Sequence, residues 1–182
     1  MKFILSTLKI LSVFLLFISC HRADEDWDVL SQEEISNIIL LVKEDVTGVV
    51  KSYNYTANAA QNPEIILENG KSYTVDVVFK NGNEDLNEEI IEAKDEHFLV
   101  YQFVNASVDL VRLSGAEDVR SDGNKVGLKT HWTVNNLQNE SPKLVLTLHH
   151  AAISVSENKN LTTYGTVEGG EVDAEAYYNL KY

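Results

Sequence analysis

Two histidine settings stand out in a chain rich in carboxylates. His97 closes a stretch holding Glu88, Glu89, Glu92, Asp95 and Glu96, and His149-His150 ends the apolar run that begins at Leu144. Imidazole and carboxylate are the donors of transition-metal sites such as those of Zn2+. Such sites need three or four ligands converging from different elements, with outer carboxylates or carbonyls orienting the imidazoles. Neighbours on a strand point to opposite faces, so only one of His149 and His150 can join His97 and Glu92 or Glu96 in a site. No H-x-x-x-H or H-E-x-x-H spacing is present, so the fold itself would have to bring the donors together. The other reading of the same residues is a set of hydrogen-bonded packing histidines. His131, in THWTV, reads as an exposed strand residue beside Trp132.

Other chemistries lack their residues. There is no Gly-rich phosphate loop and no G-x-S-x-G elbow; with no nucleophile–base pair in view, an enzyme is not expected. The polar loop of Asp118, Asp122, Gly123 and Asn124 lacks the D-x-D-x-D-G pattern of a calcium loop. The chain holds 28 Asp and Glu against 15 Lys and Arg, a net charge of −13, which opposes a nucleic-acid partner. Cys20 is the only cysteine, so no internal disulfide is expected.

The leader carries a location. Met1 to Ser19 has Lys2 and Lys9 as its only charges and an apolar run to Ile18, then Cys20. This reads as a secretory signal too short to span a bilayer comfortably. Its end, Phe17-Ile18-Ser19-Cys20, resembles a bacterial lipobox with Phe where Leu is usual. The resemblance implies loss of residues 1–19 and acylation of Cys20, a stable membrane anchor. Residues 20–34 form an acidic tether. Its start, His21-Arg22-Ala23-Asp24-Glu25-Asp26, resembles the surface-export signal of Bacteroidota lipoproteins. A lipid-anchored outer-membrane protein of the cell envelope, displayed at the surface, is the expected location.

The donors must be positioned by strands, because residues 35–182 are β-patterned. Ser36–Lys43 and Gly48–Thr56 read as strands around a turn at Glu44-Asp45, and Tyr73, Val75, Val77 and Phe79 share one face of Ser72–Lys80. His97–Val104, Val108–Leu113, Val126–Val134, Leu144–His150 and Val172–Leu180 follow. Asn69-Gly70, Asn81-Gly82, Asp122-Gly123 and Gly169-Gly170 supply turns between them. The pattern predicts an all-β, antiparallel, Ig-like β-sandwich of about eight strands. One short acidic helix is expected over Asp85–Lys94, with Asp85 as N-cap and Glu88 completing a capping box, and with Leu86, Ile90 and Ile91 facing the sheet. The aromatics Tyr73, Phe79, Phe98, Tyr101, Phe103, Trp132 and Tyr177 are expected in the core.

Four segments carry a further resemblance. Glu84–Phe98 (EDLNEEIIEAKDEHF) is similar to the "EDITEEIEEEADEHQFFY" stretch of small Bacteroidota lipoproteins labelled type 1 periplasmic binding fold superfamily proteins. Asp122–Leu128, Leu146–His150 and Gly169–Glu175 resemble further segments of that family in the same order. The family's Arg-His-Gln-Pro is His149-His150-Ala151-Ala152 here, which makes His150 the matching histidine. The family label implies two α/β lobes, which a β-patterned chain of this length cannot build, so the sandwich stands. The resemblance singles out the acidic helix with His97, His150 and the terminal Glu171/Asp173. It implies a divalent-metal site, Zn-like, drawn from His97, His150, Glu88, Glu92, Glu96 and Asp173. It also implies a non-enzymatic binding module that captures the ion for a TonB-dependent outer-membrane receptor. The alternative is a structural sandwich that docks a receptor or glycan, with no metal.

Overall fold

The computed structural model describes residues 35–113, 115, 117–137 and 140–182. The signal peptide, Cys20 and the acidic tether lie outside the described residues. Among the described residues, twelve strands and one short helix run in the order β1 (Asn37–Glu44), β2 (Val50–Thr56), β3 (Glu64–Ile66), β4 (Ser72–Asn81), β5 (Glu84–Asp85), α1 (Asn87–Glu92), β6 (His97–Val104), β7 (Ala106–Leu113), β8 (Lys129–Leu137), β9 (Lys143–His150), β10 (Ser154–Asn160), β11 (Thr163–Glu168) and β12 (Glu171–Lys181). They form two sheets, β2-β1-β4-β8-β7 with β5 on β4, and β10-β11-β6-β9-β12-β3. Every pairing is antiparallel except β3 against β12.

The two-sheet sandwich agrees with the alternation in the sequence, with more strands than the eight expected. β3 and β5 are too short to show a period, and β10 (SVSENKN) is a polar edge strand. Period-two rows bury Leu40 and Val42, Val75, Val77 and Phe79, and Trp132 and Val134 from the first sheet. Leu99, Tyr101 and Phe103, Leu144, Leu146 and Leu148, and Ala176 and Tyr178 face them from the second. Trp132 meets Phe103 edge to face at 5.3 Å. Tyr177 departs from the expected core set. It falls on the outward parity of β12 and stays partly exposed.

Polar groups inside this core are fastened across the sheets. The Tyr178 hydroxyl on β12 donates to the Ile38 carbonyl on β1 at 2.7 Å, and Tyr164 on β11 donates to the Val108 carbonyl on β7 at 2.6 Å. Burial pushes the Tyr178 phenol well above its ordinary pKa. Arg112, only 4% exposed, spreads its guanidinium over the Phe98 ring at 4.3 Å. Its Nη1 donates to the carbonyls of Val126 (2.8 Å) and Lys125 (3.3 Å), and its Nη2 to those of Leu99 and Tyr164. Gly127 makes the room: its φ is +99°, and a Cβ there would strike Nη1 of Arg112.

The helix is shorter than expected and capped differently. Asp85 belongs to β5, Leu86 is the N-cap residue, and no side chain closes a capping box with Glu88. Instead the Asn87 amide ties α1 to β4, its Oδ1 accepting from the Phe79 N–H and its Nδ2 donating to the Val77 carbonyl. Leu86 and Ile90 are buried beneath it, as the pattern required.

Candidate metal centre

Three neighbouring strands end their inward-facing rows in polar residues at one end of the second sheet. On β6 the row Phe103, Tyr101, Leu99 continues to His97, and on β9 the row Leu144, Leu146, Leu148 continues to His150. The two histidines are directly cross-strand partners, and their rings stack with centroids 5.1 Å apart. On β12 the register shifts between Val172 and Ala174. This bulge turns Asp173 to the inner face alongside Ala174, out of the strand's alternation. The Gly169-Gly170 turn aims β12 along this path. Gly170 has φ +76°, and any Cβ on it would strike the His150 carbonyl.

The hydrogen bonds define which nitrogens remain free. His97 Nδ1 donates to the Ala93 carbonyl at 3.0 Å, and His150 Nε2 donates to Glu96 Oε2 at 2.9 Å. In neutral rings the opposite atoms, His97 Nε2 and His150 Nδ1, therefore carry lone pairs. Both lie close to the Asp173 carboxylate, at 3.5 Å from Oδ2 and 3.9 Å from Oδ1. The three side chains are 3%, 8% and 6% exposed for His97, His150 and Asp173. Among the described residues, His97 Nε2 and Asp173 Oδ2 are buried with no hydrogen-bond partner. Burying such groups unpaired costs about 1–3 kcal/mol each.

The wall behind His97 is braced by a loop. Arg120, itself buried, donates from Nη1 to the carbonyls of His97 (2.8 Å) and Lys94 (3.1 Å) and from Nε to Asp122 (3.1 Å). Asp95 accepts from the Ser121 N–H at 2.6 Å, so the segment leading into His97 is held on both sides.

Of the residues expected at a site, His97, His150, Glu96 and Asp173 come together. Glu96 stands behind His150 as its hydrogen-bond partner, more than half exposed. Glu88 and Glu92 stay on the exposed side of α1, away from this group, because only Ile90 of that helix is buried. Glu171 pairs with His150 in register but remains exposed. His149 takes the opposite face, half-buried, where burial holds its imidazole below the ordinary value. His131 is half-exposed and shares a 2.9 Å contact with Asp45. Arg120, Gly170 and the Ala93 carbonyl were not visible as contributors in the sequence. Only Gly170 left a signal, as part of a glycine pair just before a strand.

Among the described residues no group of three or more His, Cys, Asp or Glu side chains is arranged so that it could hold a metal ion. The stacked rings would have to tilt toward each other to share an ion. Comparison with protein-family models, curated proteins and solved structures finds no match to this chain.

Proposed function

We propose that the chain is a non-enzymatic binding module that captures a divalent transition-metal ion, Zn2+ in character, through His97 Nε2, His150 Nδ1 and the Asp173 carboxylate. One observation carries the reading. The gaps of 3.5 and 3.9 Å between imidazole nitrogens and carboxylate oxygens are too long for hydrogen bonds. Donors about 2.0–2.2 Å from a tetrahedral Zn2+ stand about 3.3–3.5 Å apart, so a shared ion would need the stacked rings to tilt and the Asp173 gaps to close. The outer nitrogens already donate to a carbonyl and a carboxylate, the pattern that orients ligating imidazoles. A set of two nitrogens and one carboxylate favours Zn or Cu over Mg or Ca.

The lipobox-like end at Cys20 supports membrane anchorage, and the acidic segment after it supports surface display. Together they fit an accessory that hands an ion to an outer-membrane transporter such as a TonB-dependent receptor. Among the described residues no helix is long and apolar enough to cross a membrane.

A thermal melt tests the reading. A ligand that binds only the native state at a hundredfold excess over its Kd adds about 2.7 kcal/mol. Zn2+ and Co2+ should raise Tm while Ca2+ and Mg2+ do not, and the rise should vanish in His97→Ala and His150→Ala. A flat response to all four ions would leave a docking module with packed histidines.

A further inference from the structure

The last strand is paired along one side and mostly open along the other. β12 pairs with β9 from Glu171 to Asn179, but with β3 only at Asn179, Leu180 and Lys181. Among the described residues no strand lies on the β3 side of residues 171–178. The Asn179 N–H donates to the Pro63 carbonyl on that side. Main-chain groups two residues apart on a strand point the same way, so the N–H groups of Tyr177 and Glu175 face the open edge. Where β1 and β2 stand across from the start of β12, a cleft of about 340 Å³ separates the sheets. Its walls include Ile35, Ile38, Tyr55 and Ala174, with Asp173 and Glu175, and no Lys or Arg lines it.

We propose that this open edge of β12 takes an extended segment of a partner protein as an added strand, and that the segment alternates Lys or Arg with apolar residues. Strand addition draws its affinity from main-chain hydrogen bonds and its specificity from alternate side chains. Inward side chains of the added strand meet the apolar wall of Ile35, Ile38 and Tyr55. Outward ones stand beside Glu171 and Glu175, both exposed. Asp173 lies on the cleft wall with its side chain 6% exposed, and its Oδ2 has no hydrogen-bond partner among the described residues. A Lys or Arg at that end of the segment supplies the donor. The acids here are offset by no cation in the cleft, so they attract a basic strand and repel an acidic one. That charge disfavours two other occupants. A second copy would bring the same acidic edge, and residues 23–34, just ahead of Ile35, hold six Asp or Glu and no Lys or Arg. The proposal goes beyond the ion-binding reading and does not rest on it, because neither the edge nor the cleft needs an ion.

The test uses the full chain with EDTA present, so that no ion takes part. The probe is a short acetylated, amidated peptide alternating Lys and Val, and the comparison is the same peptide with Glu in place of Lys. Calorimetric titration should show saturable binding of one Lys–Val peptide per chain and little binding of the Glu–Val peptide. The bound peptide should slow hydrogen exchange at the amides of Glu175 and Tyr177. Glu175→Lys, at an exposed position outside the His97–His150–Asp173 group, should weaken the Lys–Val peptide about tenfold and strengthen the Glu–Val peptide. No saturable binding, equal binding of the two peptides, or a Glu175→Lys chain that binds like the parent overturns the proposal. So does binding that leaves the two amides exchanging as before, since the peptide then sits elsewhere. Slow exchange at both amides in the peptide-free chain also overturns it, because the chain itself or a second copy would then already cover the edge.

Discussion

Two of the buried polar groups in this sandwich are finished differently. The Arg112 guanidinium spends its donors on four backbone carbonyls and covers its face with Phe98. The His97–His150–Asp173 group, on the opposite sheet, keeps two buried polar atoms, His97 Nε2 and Asp173 Oδ2, that have no hydrogen-bond partner among the described residues. Completed burial makes Arg112 a fastener between β6, β7, β11 and the segment before β8. Incomplete pairing leaves the other group with unsatisfied polar atoms, whose cost is carried by the fastened core around it.

The largest effect that would sharpen this contrast is on the finished side. Arg112→Met should lower unfolding free energy by at least about 3 kcal/mol, because each hydrogen bond from a charged donor is worth about 1.5–3 kcal/mol. Urea denaturation measures it, and a loss near zero would mean that the guanidinium is not a fastener. On the unfinished side the sign should reverse. Asp173→Asn places an amide donor opposite His97 Nε2, so the ion-free protein should gain about 1 kcal/mol while its Tm response to Zn2+ disappears. A destabilised variant, or one that keeps the response, would break the comparison.

The smallest effect concerns Asp118, whose buried Oδ1 also lacks a partner among the described residues although Arg112 and Lys125 stand nearby. Desolvation raises its carboxyl above the ordinary value. A raised folded pKa means that stability is fully present below the unfolded value, about 3.9, and is lost as pH climbs through the folded one. Asp118→Asn should therefore be more stable than the parent at pH 7 by under about 1 kcal/mol. The gain should disappear once the pH falls below about 4, where the carboxyl is protonated in both states. Melts across that pH range decide it.

How much of this was legible depended on period. Tyr73, Val75, Val77 and Phe79 announced β4 because a half-buried strand repeats every two residues, and the parity of Leu144, Leu146 and Leu148 points His150 inward. β10 was not legible, since an edge strand of Ser, Glu, Lys and Asn has no buried face to repeat. Asp173 breaks parity through the bulge, so alternation alone would have assigned it to solvent. It was reached only through a resemblance. Glu88 and Glu92 were drawn into the expected site by their nearness in sequence to His97. The short helix instead turns them to solvent while Ile90 takes the buried side. The Ala93 carbonyl and the Arg120 brace are backbone and loop geometry, for which side-chain identity is no guide.

The bulge has a meaning for the sequence as well. From Ala174 to Asn179 the pairing of β12 with β9 is regular, and the irregularity is confined to the residue that adds the carboxylate. The single residue Asp173 accounts for the whole register shift, so deleting it would leave β12 to pair with β9 in one continuous register. The buried row from Ala174 to Leu180 lies beyond the bulge, so the fold's packing and this carboxylate are separable in the sequence.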